Sequence, residues 1–277
     1  MRFTKMHGCG NDYVYVDCFA ETVNDPNTLA RAIADRHFGV GGDGLILICP
    51  SGTGDARMRM FNADGSEGDM CGNGIRCVAK YVYDHGIVPP ERRSAVIDTN
   101  DGLKTVELTV EGGKAVLVTV DMGAPKLTSE LPEPITVHGM ALSFVGVDTG
   151  SKHAVYFLDD NPALGTDDVA ELDFAAYGSD FETHPRFPDR VNSEFIAVRS
   201  PSEIDFRVWE RGSGETLACG TGATAAVYAG IRLGKLDGDV LVHLRGGDLR
   251  IRYDDAAGHC FMTGPAAEVF SGDYPWA

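Results

Sequence analysis

The sequence lacks any long apolar run. No uninterrupted apolar stretch reaches the length of about 18 residues that a membrane-spanning helix requires. The N-terminal stretch MRFTKMHGCGNDY also lacks the apolar core of a secretory signal. We therefore expect a cytoplasmic protein with no membrane partner.

Basic residues are scarce. The chain of 277 residues has 24 lysines and arginines against 41 aspartates and glutamates, which gives a net charge of −17. Such an acidic surface repels phosphate backbones, so nucleic acids and anionic membranes are not expected as partners. The length fits one large domain or two smaller ones, and the 43% hydrophobic content is that of an ordinary globular protein.

Paired-cysteine metal motifs are missing as well. The chain has seven cysteines, but no CxxC pair and no cysteine and histidine cluster with zinc spacing. An odd count favours reduced thiols, and no bound metal is expected. Five of the cysteines carry no motif and are predicted to be small buried hydrophobes, namely Cys9, Cys18, Cys49, Cys77 and Cys260.

Nucleotide-binding loops are not indicated. The chain has no GxxxxGK[ST] motif, and GVGGDG at 39–44 follows a predicted helix and precedes a strand, the reverse of the dinucleotide order. CGTGATA at 219–225 opens a helix, but a loop rather than a clear strand precedes it. A lysine motif for pyridoxal phosphate is also not visible, so we expect no cofactor.

Alternating and β-branched runs predict strands in both halves of the chain, separated by a few helices. The predicted strands lie near 13–17, 44–49, 56–61, 94–98, 103–110, 115–121, 141–148, 153–158, 194–199, 204–209, 239–243, 248–253 and 259–262. The predicted helices lie before Gly39, from Cys71 to Gly86, over 161–174, and from about 221 to Gly234. Residues 122–134 are rich in proline and glycine and are predicted to cross between domains.

An internal repeat relates the two halves. With a shift of 148 residues, RMFNADGSEGDMCGNG (59–74) aligns without a gap on RVWERGSGETLACGTG (207–222), and Cys71 meets Cys219. Only five of the sixteen positions are identical, but both segments run from a strand through a turn to a cysteine and a helix. GNDYVYVD (10–17) and NSEFIAV (192–198) also look alike. We therefore predict two homologous α/β halves, each with one cysteine at a helix N-terminus.

That placement favours acid–base chemistry by sulfur. The unpaired N–H groups and the dipole at a helix N-terminus stabilise a thiolate. Two such thiols facing each other across a cleft suit racemisation or epimerisation, in which one base removes an α-proton and a conjugate acid returns a proton to the other face. The helix N-termini would hold the substrate carboxylate.

Four motifs resemble one family. MHGCGNDYVYVD, FNADGSEGDMCGNGIRC, FPDRVNSEF and RVWERGSGETLACGTGATAA are similar, in order and over most of the chain, to the signatures of diaminopimelate epimerases. These are epimerases of lysine biosynthesis that use two cysteines and no pyridoxal phosphate. The resemblance implies cofactor-independent epimerisation of LL-2,6-diaminopimelate to meso-diaminopimelate, in lysine and peptidoglycan precursor biosynthesis, by a homodimer.

The resemblance also implies roles for individual residues. Cys71 and Cys219 would be the acid–base pair, and His153 and Glu210 would tune the pKa values of their thiols. Glu210 and Arg211 would hold the distal amino-acid end of the substrate. The remaining substrate-binding residues would be Asn11, Asn62, Gly72, Asn73, Ser151, Asn192, Gly220 and Thr221. Four of these would bind the reacting carboxylate through backbone N–H groups at a helix N-terminus, namely Gly72, Asn73, Gly220 and Thr221.

The fold implied by the resemblance is α/β (α+β). It has two pseudo-symmetric domains, each a mixed, barrel-like sheet around a central helix, with the active site in the cleft between them. The expected domains are 1–121 with about 263–277, and 122–262. The chain departs from the family at Ser151 and Lys152, where many members have asparagine and proline, and at Gly44, where many have glutamine and to which we assign no contact.

Three alternatives remain open at this stage. Proline racemase-type enzymes also pair two cysteines in glycine loops, but need no distal clamp such as Glu210 and Arg211. Cys71 and Cys219 could instead form a regulatory dithiol. A nucleotide-binding oxidoreductase would show cofactor absorbance or bind NAD or FAD.

Overall fold

The computed structural model describes residues 1–68 and 70–276, and within it the chain forms two compact units. The first comprises Met1–Asp121 together with the C-terminal segment from Thr263, and the second comprises Met122–Met262. No helix in the described part of the chain is long and apolar enough to span a membrane.

The first unit contains two helices and a set of strands of at most ten residues each. Its helices are α1, Pro26–Ala34, and α2, Gly72–Asp84. Its strands are β1 Arg2–Gly8, β2 Asn11–Asp17, β3 Gly44–Cys49, β4 Ala56–Asn62, β5 Glu67–Gly68, β6 Ser94–Thr99, β7 Gly102–Glu111 and β8 Lys114–Asp121, with β19 Ala267–Asp273 added from the C-terminus.

These strands surround α2. Along the sheet, β19, β1 and β2 pair antiparallel, β2 and β3 parallel, β3 and β4 antiparallel, β4 and β6 parallel, and β6, β7 and β8 antiparallel. Helix α2 packs against β1, β2, β4, β6, β7 and β8. Apolar residues at helical spacing, such as Ile75, Val78 and Val82, are fully buried, so α2 is the core of its unit.

The second unit contains the helices α3, Phe174–Glu182, and α4, Gly220–Arg232. Its strands are β9 Lys126–Leu127, β10 Glu133–Val137, β11 Met140–Asp148, β12 Lys152–Phe157, β13 Asn192–Ser200, β14 Glu203–Glu210, β15 Gly214–Glu215, β16 Asp239–Leu244 and β17 Gly247–Asp254. Strand β18 spans His259–Pro265, and the chain passes from the second unit to the first within it, after Met262.

The second unit repeats the strand order of the first. β11 and β12 pair antiparallel, β12 and β13 parallel, β13 and β14 antiparallel, β14 and β16 parallel, and β16 and β17 antiparallel. Helix α4 packs against β11, β12, β13 and β17, and has the same 13-residue length as α2. The predicted α/β fold with two pseudo-symmetric domains is thus confirmed.

The strand order corrects one detail of the predicted repeat. β3 pairs parallel with β2 and antiparallel with β4. β13 takes the same position in the second unit, because it pairs parallel with β12 and antiparallel with β14. The segment at 192–198 therefore corresponds to 44–50, not to 10–17. The counterpart of β2 is β12, and in this alignment Ser151 takes the place of Asn11.

The helix predicted over 161–174 is wrong. This region forms short 3-10 turns at Pro162–Leu164 and Val169–Glu171, separated by Gly165 in the left-handed region with a φ of 79°. The α-helix begins only at Phe174, where the Asp173 carboxylate accepts a hydrogen bond from the Ala176 N–H. Residues 122–134, predicted as a crossing, contain β9 and the start of β10, and strands β1 and β19 were not predicted.

Candidate active site

Cys71 is the N-cap of α2. Its backbone is extended, with φ −127° and ψ 120°, and its sulfur accepts a hydrogen bond from the Gly74 N–H at 3.3 Å. The side chain is half-buried. Sulfur thus takes the place that serine or aspartate usually holds at a helix start, where N–H groups and the helix dipole favour negative charge.

A polar chain holds Asn11 against this sulfur. The Cys71 thiol donates to Oδ1 of Asn11 at 3.3 Å, and Nδ2 of Asn11 donates to Oδ2 of Asp43 at 2.7 Å. Arg36 in turn donates to Oδ1 of Asp43 at 2.9 Å. Because Asp43 accepts from the amide nitrogen, the amide oxygen of Asn11 is fixed toward Cys71. The sequence did not indicate a role for Asp43.

The first turn of α2 is tied down by a buried arginine. Arg76 is fully buried, and its guanidinium donates to Oδ1 of Asn73 at 2.9 Å and to the Gly72 carbonyl at 3.2 Å. The Asn73 side chain therefore serves the interior of the unit. If Gly72 and Asn73 contact a substrate, they therefore do so through their backbone N–H groups, which is the contact that the sequence predicts.

Asn62 lies at the end of β4, where it braces a turn. Its side-chain nitrogen donates to Oγ of Ser66 at 3.0 Å, and its backbone N–H donates to the Ser66 carbonyl at 2.9 Å. No side-chain hydrogen bond joins Asn62 to the other predicted site residues of the described chain. A substrate contact of Asn62 stays a prediction.

Cys219 repeats the geometry of Cys71 at the start of α4. Its backbone is extended, with φ −123° and ψ 108°, and its sulfur accepts from the Gly222 N–H at 3.4 Å. Its sulfur also lies 3.4 Å from the Thr221 hydroxyl. Unlike Cys71, Cys219 is buried, with only 5% of its surface exposed.

Carboxylates set the electrostatics around Cys219. Burial raises the pKa of the Cys219 thiol well above its ordinary value, and the negative charges of Glu210 and Glu194 raise it further. Hydrogen bonds from Thr221 and Gly222 oppose the increase. Cys219 therefore rests as a thiol at neutral pH.

Glu210, at the end of β14, acts on Cys219 through its charge. The Thr216 hydroxyl donates a hydrogen bond to Oε1 of Glu210. Burial is the main cause of the raised pKa of Glu210, and the hydrogen bond from Thr216 opposes it. Glu210 is thus a mostly buried carboxyl group whose negative charge helps to keep Cys219 protonated.

His153 connects to a glutamate that sequence reasoning missed. Nδ1 of His153 is hydrogen-bonded to Oε1 of Glu194 at 2.6 Å, and Nε2 to Oγ of Ser151 at 2.8 Å. His153 and Glu194 are fully buried, and burial raises the pKa of Glu194. The other oxygen of Glu194, Oε2, has no hydrogen-bond partner in the described part of the chain.

Glu194 lies directly against the first turn of α4. A Cβ atom added to Gly222 would lie 2.7 Å from Oε1 of Glu194, so only glycine fits there. At the equivalent Gly74, the corresponding neighbour is Cδ1 of Ile46, also at 2.7 Å. The two helices therefore start over different side chains, an isoleucine beneath the Cys71 helix and a carboxyl group beneath the Cys219 helix. The 148-residue repeat, which pairs Ile46 with Glu194, was the signal that could have revealed this residue.

Asn192 and Arg211 meet through the backbone. Oδ1 of Asn192 accepts from the Arg211 N–H at 2.8 Å, and its Nδ2 donates to the Lys152 carbonyl at 3.4 Å. The Arg211 side chain is exposed. Lys152 pairs with Asp189 at 2.6 Å. Both residues line a cavity of about 170 Å³ that also reaches His153.

The predicted residues thus form two constellations. Cys71, Asn11, Gly72 and Asn73 lie together in the first unit, and Cys219, Thr221 and Glu210 lie together in the second. His153 and Ser151 join the second constellation through Glu194. Within the described residues, no group of three or more histidine, cysteine, aspartate or glutamate side chains is arranged to hold a metal ion.

The other cysteines divide into two groups. Cys9, Cys77 and Cys260 are buried, as the sequence predicted. Cys18 and Cys49 are only half-buried, so their prediction as buried hydrophobes is wrong. Both lie at strand ends, where the sheet gives way to turns.

Comparison with known proteins supplies the family. The family model for diaminopimelate epimerase matches residues 3–128 and 145–269. The diaminopimelate epimerase of Desulfovibrio desulfuricans is 49% identical over 99% of this chain and 98% of its own length. That of Agathobacter rectalis is 50% identical over 99% of each chain.

Solved structures match at the level of fold. A probable proline racemase from Agrobacterium radiobacter K84 superposes with a TM-score of 0.72 at 16% identity, covering 100% of this chain and 93% of that one. A phenazine biosynthesis protein of the PhzF family from Bacillus anthracis gives 0.72 at 17% identity, covering 98% of each. At these identities the likeness establishes the shared fold.

Proposed function

This chain belongs to the diaminopimelate epimerase family, and from that premise we propose that it interconverts LL- and meso-2,6-diaminopimelate by a two-base thiol mechanism. The observation that carries the mechanism is the duplicated N-cap: Cys71 and Cys219 begin 13-residue helices at equivalent positions of two homologous units. We further propose that the two units act as the two catalytic domains. The enzyme would work without a cofactor, as a cytoplasmic homodimer that supplies lysine and peptidoglycan precursors.

The proposed reaction moves one proton off the α-carbon and another onto it. A thiolate at one cysteine takes the α-proton, and the electron pair left on carbon delocalises into the α-carboxylate. The thiol of the other cysteine then gives its proton to the opposite face of the carbon. The raised pKa of Cys219 suits it to start as the donor, so that Cys71 starts as the base.

The helix N-termini would stabilise the carbanionic transition state. Backbone N–H groups of Gly72 and Asn73 in α2, and of Gly220 and Thr221 in α4, are early helix positions without intrahelical acceptors. They suit a carboxylate that gains negative charge during proton removal. Gly72 and Gly220, which have no side chain, let the carboxylate approach the backbone closely.

The distal end of the substrate would be recognised by charge. Arg211 is exposed, and its planar guanidinium suits the distal carboxylate, while Glu210 would take the distal amino group. Asn11, Asn62 and Asn192 would hold other polar groups of the substrate. Arg211→Ala should then raise KM for diaminopimelate with less effect on kcat. Arg252→Ala, another exposed arginine, is the matched control and should change neither. A normal affinity in Arg211→Ala would contradict the assignment.

Isotope exchange tests the mechanism. In D2O, we expect deuterium to enter the reacting α-carbon of LL-diaminopimelate as epimerisation proceeds. Cys71→Ser and Cys219→Ser should each lose nearly all epimerisation, whereas Cys77→Ala, in the interior of α2, should keep it. Full activity in either serine variant would exclude the two-base mechanism.

A further inference from the structure

The strongest unassigned feature is a second pair of thiols in the first unit. β2 and β3 pair in parallel, and the last register partners are Asp17 and Ile48. The ladder continues one step further, because the Cys18 N–H donates to the Ile48 carbonyl at 2.8 Å. Cys18 and Cys49 are therefore direct neighbours on adjacent chains, and neighbouring strands lie about 4.8 Å apart. That spacing falls within the range that a disulfide bridges.

Both side chains pack on the same face of the sheet, and both residues are partly exposed. Cys18 and Cys49 pack against one core cluster, formed by residues such as Val16, Leu47 and Leu29. Each is half-buried. A small reagent can therefore approach this end of the strand pair.

The two sulfurs differ in reactivity because each shifts the pKa of the other. Hydrogen bonding by the Cys18 thiol is the main cause of the lowered pKa of Cys49. The positive charges of Arg59 and Arg57 lower it further, while burial and the charge of Asp17 oppose them. The same interaction, with burial, raises the pKa of Cys18. Thiolate character concentrates on Cys49, as in dithiols whose first cysteine is the attacking one.

We propose that Cys18 and Cys49 form an oxidisable dithiol site that low-molecular-weight disulfides convert to an intramolecular disulfide. The Cys49 thiolate attacks one sulfur of the reagent, forms a mixed disulfide and releases one thiolate. Cys18 loses its proton to solvent and attacks the Cys49 sulfur, and the second half of the reagent leaves as a thiolate. Two protein thiols are oxidised, and one reagent disulfide is reduced to two thiols.

The site is separate from the catalytic cysteines. Asn11, which contacts Cys71, begins β2, and Cys18 follows its last residue, so about 20 Å of strand lies between them. The segment between Cys18 and Cys49 contains α1 and Asp43, the residue that holds Asn11. A disulfide would close the base of this segment and restrict the unfolded chain.

Oxidised glutathione tests the proposal directly. The background is Cys71→Ser/Cys219→Ser, so that the catalytic thiols cannot contribute. After incubation at pH 8 and alkylation of the remaining thiols, we expect mass spectrometry to show a peptide linking Cys18 to Cys49 and the loss of two hydrogens. Two separate glutathione adducts, or no reaction at either sulfur, would overturn the proposal.

Single variants in the same background test the order of the two steps. Cys18→Ser should stop at a mixed disulfide on Cys49, since the resolving thiol is missing. Cys49→Ser should take up glutathione on Cys18 at least about ten-fold more slowly, because that thiol lacks a low pKa. Equal rates would refute the assignment of Cys49 as the attacking sulfur. Cys260→Ser, which removes a buried cysteine elsewhere, should still form the linked peptide.

Discussion

At the scale of single residues, Glu194 distinguishes the surroundings of Cys219 from those of Cys71. It lies 2.6 Å from His153 and against the first turn of α4, and its negative charge contributes to the raised pKa of Cys219. Its counterpart, Ile46, carries no charge. The two cysteines share one helix-cap geometry but not one environment, so the pseudo-symmetry of the fold does not extend to the electrostatics.

Replacing Glu194 by glutamine should make Cys219 easier to ionise. The variant keeps the shape of the side chain but removes the negative charge, so the pKa of Cys219 falls. We expect iodoacetamide to alkylate Cys219 several-fold faster at pH 8, with Cys71 in the same sample as the internal reference. Because this readout needs no turnover, it stands even if the proposed substrate is wrong. An unchanged rate at Cys219 would show that Glu194 does not act on the thiol.

The same substitution should move the pH dependence of epimerisation. A cysteine that donates the proton must be a thiol, so activity in that direction falls as the pH rises through the pKa of Cys219. Burial and the carboxylates raise that pKa, which places the basic limb at high pH in the native protein. In Glu194→Gln the basic limb of kcat/KM should move to lower pH. A basic limb that stays in place would show that another group controls it.

Asp43 should matter for catalysis although it does not touch Cys71. Asp43→Ala removes the acceptor of the Asn11 amide nitrogen, and the amide can then turn its oxygen away from the thiol. We expect kcat/KM to fall by about ten-fold, because a misoriented neighbour weakens the positioning of the acid–base pair. Asp101→Ala, which removes an exposed ion pair with Lys104, is the control and should leave kcat/KM unchanged. If Asp43→Asn, which keeps an acceptor oxygen, has the native kcat/KM, the role of Asp43 is to orient the Asn11 amide and not to supply a negative charge.

At the scale of elements, the first turns of α2 and α4 are built around glycine. In Gly222→Ala, the new Cβ would lie 2.7 Å from Oε1 of Glu194 and 3.2 Å from the Cys219 sulfur. In Gly74→Ala, it would meet the flexible ends of Ile46 and Met58, at 2.7 and 3.0 Å. We expect Gly222→Ala to lower epimerase activity more than Gly74→Ala, because it displaces a buried carboxyl group that cannot move into solvent.

A double variant tests whether the collision with Glu194 causes the effect of Gly222→Ala. Adding Glu194→Ala to Gly222→Ala removes the colliding carboxyl group, so the melting temperature lost in the single variant should be partly recovered. Circular dichroism melting curves of the two variants and the native protein measure this. No recovery in the double variant would place the strain elsewhere in the turn.

The sequence predicted the elements that have a strong local pattern. Helices α2 and α4 follow from apolar residues at helical spacing after Cys71 and Cys219, and the glycines that end them, Gly86 and Gly234, adopt positive φ angles. The predicted helix at 161–174 was wrong because Pro162, Gly165 and the acidic residues after it favour separate short turns. Strands β1 and β19 depend on each other across the whole chain, a long-range pairing that no local pattern records.

The sequence indicates the two sulfurs of the candidate site but not the residues that contact or surround them. Motifs carry Cys71 and Cys219 because the proposed chemistry needs a thiol at each helix start. Asp43 and Glu194 lie far from those motifs in sequence and act only through contacts that folding creates. For Glu194, the internal repeat held the necessary comparison with Ile46, but a buried glutamate in an apolar strand acquires meaning only when its neighbours are known.

At the scale of the whole molecule, the two chain ends meet in the first unit. β19 pairs antiparallel with β1, and Met1 and Tyr274 exchange two backbone hydrogen bonds, at 3.2 and 2.9 Å. Tyr274 and Trp276 pack against the core cluster that also contacts Cys18 and Cys49. The first unit is therefore complete only when the last part of the chain has been made.

Removing the two terminal aromatic side chains tests this closure. Tyr274→Ala/Trp276→Ala uncovers apolar surface of the first unit and keeps the β19 backbone, so the melting temperature should fall by several degrees. The second unit contains Trp209, the other tryptophan, packed against Phe174, and its fluorescence reports on that unit separately. We expect the Trp209 signal to keep its native spectrum at temperatures where amide hydrogen exchange in β1 and β2 has already accelerated. Equal acceleration in β13 and β14 would mean that the two units unfold together and that the chain ends stabilise the whole protein.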